Sequence, residues 1–190
     1  MRTITKDELL INKFSFFKTI KDGTLFIYPT DTIYGIGCDA TNEGAVEKLR
    51  ALKEQKDRPF SVIAPDLAWI EDNCTIIDGS EDWLKKLPGP FTLIFQLKKP
   101  GCVAKAVNLG GKTLGVRLLD HWIQEFVKEY GRPIVTTSAN KVGKIFMTSS
   151  EDLDPDLAQG ISLLVYEGEK EGSASNIVDL STTKHKVKER

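Results

Sequence analysis

At 190 residues, 41% of them hydrophobic, and with a formal net charge of −1, the chain suits one compact domain and lacks the basic excess that marks a general nucleic-acid binder. Cys38, Cys74 and Cys102 are widely spaced with no C-x-x-C pair, which fits neither a disulfide framework nor a zinc ribbon and points to a reducing cytoplasm. No apolar run approaches the ~20 residues of a spanning helix, and Met1 to Leu10 has no apolar signal core, so a soluble cytoplasmic protein without a membrane partner is expected.

Residues Thr5 to Asp22 read as one amphipathic helix, with Leu9, Leu10, Lys13, Phe14, Phe17 and Ile20 at an approximate 3.6 period and the apolar face in the core. Leu25 to Tyr28 is a short buried-strand pattern that Pro29 ends. A dense polar turn follows, Thr30-Asp31-Thr32-Ile33-Tyr34-Gly35-Ile36-Gly37, and then a helix over Glu43 to Leu52 with Thr41 or Asn42 as its N-cap. The turn therefore stands at the carboxyl end of a strand, where open α/β sheets bind ligands. Lys53, Lys56 and Arg58 gather just beyond the helix, as a solvated helix end or as a phosphate clamp.

Further along, the pattern predicts a strand over Phe60 to Ala64, a short helix over Asp66 to Asn73 and a helix over Ser80 to Leu87 stopped by Pro88-Gly89-Pro90. Strands follow at Phe91 to Leu97 and Thr113 to Leu118. In the latter, Thr113, Gly115 and Arg117 share one face at period two, and an arginine ending a strand beside a cleft can grip a carboxylate bidentately. A helix at His121 to Tyr130 leads to the strand Ile134 to Asn140, whose end carries the small polar groups Thr137, Ser138 and Asn140. Thr148, Ser149 and Ser150 can cap a helix, and Ile161 to Tyr166 reads as another strand. Residues 1–182 form the expected domain, and 183–190 a basic tail that frays.

Two motif matches fail on context. Gly35-x-Gly37-x-x-Ala40 fits a relaxed dinucleotide fingerprint, but a polar insertion separates the strand from the glycines. Gly111-Lys112-Thr113 leads into a strand rather than the helix a phosphate loop must open. His121 and His185 are the only histidines, so a histidine-ligated metal site is not expected.

The segment Pro29 to Gly37, the Pro-Gly-Pro-x-Thr run at Pro88, the Thr113 to Arg117 strand, Thr137-Ser138-Ala139-Asn140 and Ser173 to Leu180 together resemble the YrdC-domain family of threonylcarbamoyl-AMP synthases, in that family's motif order. The resemblance implies an α/β fold, a twisted mixed sheet with surrounding helices and a concave anion-binding cleft. It implies that L-threonine, bicarbonate and ATP, with Mg2+ carried by the ATP, give threonylcarbamoyl-AMP and pyrophosphate. A downstream threonylcarbamoyl transferase complex would receive the product for tRNA modification, with direct tRNA contact possible in principle. By the same resemblance, Lys53, Lys56 and Arg58 serve catalysis at the phosphates. Thr30, Arg117, Ser138 and Ser175 take L-threonine, and Thr113, Asn140 and Thr148 take the nucleotide. Gln55 stands where the family has an arginine, one residue short of the usual spacing, so either Lys56 and Arg58 supply that charge or the correspondence slips. The competing readings are a noncatalytic module binding tRNA or double-stranded RNA, and a carbamoyl-transfer enzyme.

Overall fold

Neighbouring residues on the central strands go to opposite faces of the sheet, and both faces are buried. Leu25 and Ile27 join one apolar cluster while Phe26 and Tyr28 join a second, and Val62 and Ile63 divide in the same way, as do Val135 and Ile134. The computed structural model describes residues 1–141 and 143–188. In chain order it runs β1 (Arg2–Ile4), α1 (Lys6–Ile11), α2 (Lys13–Lys21), β2 (Phe26–Tyr28), β3 (Gly35–Gly37), α3 (Glu43–Lys53), β4 (Ser61–Ile63), α4 (Leu67–Asn73), β5 (Cys74–Thr75) and α5 (Glu81–Leu84). It continues through β6 (Phe91–Leu97), α6 (Lys105–Asn108), β7 (Thr113–Arg117), α7 (Ile123–Tyr130), β8 (Ile134–Ser138), a 3-10 turn (Ser150–Asp152), α8 (Pro155–Gly160), β9 (Leu163–Val165), β10 (Asn176–Asp179) and β11 (Lys186–Lys188).

The strands form one mixed sheet in the order β1-β9-β2-β3-β8-β4-β7-β6-β10-β11, with β5 on the side of β6. Four parallel pairs (β1–β9, β2–β9, β4–β7, β6–β10) stand among antiparallel ones, which is the twisted mixed sheet that the resemblance implies. The register Ser61↔Gly115 and Ser61↔Thr136 sets three polar or small positions side by side in the middle of the sheet.

Four expectations change. The first helix is two helices: the Asn12 side chain donates to the Glu8 carbonyl (2.9 Å), ending α1, and α2 starts afresh from Asn12. The break turns Ile11 and Phe14 outward, 81% and 76% exposed, so only Leu9 and Ile20 of the proposed apolar stripe are buried. The helix over Ser80 to Leu87 shortens to α5, because Ser80 is itself helical in backbone and makes no side-chain cap bond. Gly35 to Gly37, read as turn, is a strand paired on both sides. A Cβ on Gly37 would fall 1.9 Å from the Val135 carbonyl oxygen, so only glycine permits the close approach of β3 to β8. Finally, the basic tail contributes β11, which pairs antiparallel with β10 and puts lysines on the sheet edge. Glu189 and Arg190 of that tail lie outside the described residues.

Candidate active site

A cavity of about 450 Å³ opens where β3, β4, β6, β7, β8 and β10 present their small and polar residues. Its volume suits a drug-sized ligand rather than a polymer track. The turn after β2 forms one side. Thr30 is buried, and its hydroxyl donates to the Ile33 carbonyl (2.6 Å), accepts from the Thr32 amide (3.1 Å) and lies 3.0 Å from the Thr32 hydroxyl. Thr30 therefore shapes the turn with the hydroxyl assigned to a ligand. Tyr34 closes the same turn; burial pushes its phenol up to about 12, so it acts as a neutral donor.

Arg117 ends β7 with its side chain buried. Its Nη2 donates to Asp31 Oδ1 at 2.6 Å, and both side chains are only 7% exposed. Burial pushes the guanidinium pKa down and the Asp31 charge pulls it back up, and arginine stays charged throughout. Arg117 lines the cavity, Asp31 lies behind it, and the Nε of Arg117 is buried with no hydrogen-bond partner among the described residues. A guanidinium that Asp31 holds at the cavity wall is suited to an incoming carboxylate. Gly115, two residues back on the same face, keeps the wall open: a Cβ there would lie 2.5 Å from the Ser61 hydroxyl. Beside Gly115, on the paired strand β6, the Thr92 hydroxyl lies 2.8 Å from that of Ser175, both buried.

Lys53, the last residue of α3, is 2% exposed. Its Nζ donates to the carbonyls of Ser138 (2.6 Å) and Asn140 (2.5 Å), tying the helix to the end of β8. Burial lowers its pKa to about 8. Two neutral acceptors hold the ammonium, and the carbonyl dipoles leave its charge available to the cavity it lines. The Ser138 hydroxyl donates to Asn140 Oδ1 (2.5 Å) and the Asn140 amide to the Lys144 carbonyl (2.6 Å), which fixes the small polar end of β8. The loop after α3 begins at Glu54 in the left-handed region (φ 56) and is organised by Arg50. That guanidinium donates to the carbonyls of Ala106, Val107, Gln55 and Arg58 and stacks 4.5 Å over the Phe60 ring.

The structure thus brings Thr30, Lys53, Arg58, Thr113, Arg117, Ser138, Asn140 and Ser175 to one cavity. Lys56 is exposed and does not line it. Thr148 also stays outside: its hydroxyl donates to Asp152 (2.8 Å) in the capping box that starts the 3-10 turn. Sequence reasoning missed Asp31, Arg50, Ser61, Thr92 and Thr136. For Asp31 the signal is its place between two threonines of a strand-end turn; for Arg50, on an exposed helical face by period, there is none. Among the described residues no three His, Cys, Asp or Glu side chains group as metal ligands. None of the helices in the described residues is long and apolar enough to cross a membrane.

A family model described as telomere recombination, that of the Sua5, YciO and YrdC proteins, matches residues 18–189. The threonylcarbamoyl-AMP synthase of Vibrio vulnificus (strain YJ016) is 30% identical over 157 residues, covering 78% of this chain and 82% of that protein. The protein of the same name in Bacillus subtilis (strain 168) is 31% identical over 153 residues, 78% of this chain and 44% of its own length. Among solved structures, P. abyssi Sua5 complexed with L-threonine aligns with a TM-score of 0.82 at 28% identity, over 96% of this chain and 55% of that one. The chain thus spans about half the length of that Sua5 protein. E. coli YciO, at 23% identity and a TM-score of 0.81 over 97% of this chain and 92% of its own, shares the fold. The motif-bearing strands, the cavity they build and the match over nearly the whole length agree: the chain belongs to the Sua5/YciO/YrdC family.

Proposed function

We propose that the protein is a threonylcarbamoyl-AMP synthase, joining L-threonine, bicarbonate and ATP. The observation that carries this reading is the pairing, in one small cavity, of a buried arginine aimed by Asp31 with a second cationic side made by Lys53 and Arg58. Two anions that repel each other in water can be held together by such an arrangement. Relatives about 30% identical over most of the chain carry that name, and a solved Sua5 holds L-threonine.

The threonine ammonium first gives up a proton, and the free amine then attacks the bicarbonate carbon, giving the N-carboxy amino acid with loss of water. A carbamate oxygen then attacks the α-phosphorus of ATP, and the P–O bond to pyrophosphate breaks. No protein nucleophile is required. The chain's task is to orient and to stabilise charge. Arg117 receives the threonine carboxylate, with the hydroxyls of Ser175 and Ser138 and the Thr30 turn shaping the amino-acid pocket. Lys53 and Arg58 face the phosphates, with Lys56 supplementing the field from the rim, and Thr113 and Asn140 border the adenylyl side. Thr148 acts through its capping box rather than by contact. Mg2+ would come with the ATP and would offset phosphate charge alongside Lys53 and Arg58. The product, a mixed carbamic–phosphoric anhydride, passes to a transferase that places the threonylcarbamoyl group on tRNA.

Pyrophosphate release by the purified chain with Mg2+ tests the reading. Release that requires ATP, threonine and bicarbonate together is expected. No release, with RNA binding that falls steeply with salt, would replace it with the binding module.

A further inference from the structure

One charged cluster outside the cavity joins two of its sides. The segment 166–175, between β9 and β10, lies against the turn after β2: a Cβ on Gly172 would fall 2.5 Å from the Thr32 carbonyl oxygen. Tyr34 pins its start, its hydroxyl donating to the Gly168 carbonyl (2.6 Å) and accepting from the Glu167 amide (3.1 Å). Its middle is held by the Lys170 amide on the Thr148 carbonyl (3.0 Å), and its end delivers Ala174 and Ser175 to the cavity. Glu169, Glu171 and Ser173 are exposed.

The Glu167 carboxylate, which lines no part of the cavity, collects three donors. Trp122 Nε1 donates at 2.6 Å, His121 Nε2 lies at 2.8 Å, and the Lys170 ammonium closes an ion pair. His121 Nδ1 faces the Ile123 amide and Nε2 faces Lys170 Nζ, each at 3.4 Å, and burial lowers the imidazole pKa; with its proton on Nε2, neutral His121 donates to Glu167. His121 and Trp122 stand four and five residues beyond Arg117, and the intervening Asp120 amide donates to Asp31 (3.4 Å), the carboxylate that aims Arg117. A carboxylate gathering several donors is worth more than an exposed pair, because the donors hold one another in place.

We propose that Glu167 is a positioning residue for the amino-acid substrate, clasping the segment that carries Ser175 to the β7–α7 junction that carries Arg117. This rests on reading the cavity as the threonine site. Removing the clasp leaves both groups present but lets their separation vary, so it weakens threonine binding more than nucleotide binding.

The test compares the full chain with Glu167→Gln, which keeps size and loses charge, and with Trp122→Phe, which removes one donor and keeps packing. Threonine affinity is measured by calorimetry, and amide hydrogen exchange is followed over residues 168–175. For E167Q the expectation is faster exchange confined to that segment and a threonine Kd raised about tenfold, equivalent to one lost charge-assisted hydrogen bond. ATP affinity stays unchanged. W122F shifts both readouts the same way by less, and Glu167→Asp recovers part of the loss. Unchanged exchange, or faster exchange with wild-type threonine affinity, overturns the proposal. Should E167Q unfold, W122F decides on the same criteria. Failure of the synthase reading shows separately, as a wild-type chain that releases no pyrophosphate with all three substrates.

Discussion

The two cationic sides of the cavity are built by different means. Arg117 sits on β7 between two paired strands, buried against Asp31, so the sheet register sets its position before any ligand arrives. The 54–59 loop has no strand of its own. It takes its shape from Arg50, whose guanidinium binds four backbone carbonyls, while Arg58 and Lys56 project from it exposed. Lys53 lies between these extremes, a buried ammonium on a helix end. On the proposed reading, the threonine carboxylate would meet one preformed group and the polyphosphate a field of charges of graded exposure.

The largest expected effect is at the rigid side. Arg117→Ala should raise the threonine concentration for half-maximal pyrophosphate release about 100-fold or more, the worth of two charge-assisted hydrogen bonds at about 1.5–3 kcal/mol each. It also leaves Asp31 buried without its partner, at a cost of about 3–5 kcal/mol in denaturant unfolding. Adding Asp31→Asn to that variant should recover stability but not threonine use. Recovery of both would mean that Arg117 is structural only.

Lys53→Met should come next, with ATP binding weakened roughly tenfold and little change for threonine. The wild type should show the same weakening as pH rises past about 8, where Lys53 loses its proton while its neutral amine keeps both carbonyl bonds. The stability effect has the opposite sign. The folded pKa lies below the ordinary 10.5, so burial of the charged form is unfavourable below pH 8 and that penalty is relieved as pH approaches 10.5. Wild type should therefore gain stability relative to Lys53→Met across that window, and parallel curves would show that the ammonium is not desolvated.

The smallest effects belong to the loop. Arg58→Ala, at the cavity, should raise the ATP requirement about threefold to tenfold, and Lys56→Ala by less than about twofold, since an exposed charge off the cavity is screened. Equal effects would mean that the loop closes over the phosphates and brings Lys56 in.

Much of this was legible locally. Arg117 could be placed because a period of two puts it with Thr113 and Gly115, and that face does line the cavity. The helix α3 was readable to within a residue from its stripe and the Asn42 cap, which accepts from the Ala45 amide at 3.0 Å. The break at Asn12 was not, because apolar spacing is the same for a straight helix and for two short ones. Nor were the meeting of Ser175 with Thr92 across 83 positions and the gathering of carbonyls by Arg50, which depend on where separated backbone comes to lie.

The sequence by itself determined single elements and strand-end motifs, because hydrophobic period and turn residues are properties of short stretches, and the order of those motifs resembles a known family whose mixed α/β class it thereby implies. Only the tertiary structure decided which hydroxyls shape the turn and which face the cavity, that Lys53 is buried and Lys56 is not, and that Asp31 stands behind Arg117. Those outcomes rest on sheet order and register, which juxtapose residues far apart in the chain and so leave no mark in local pattern.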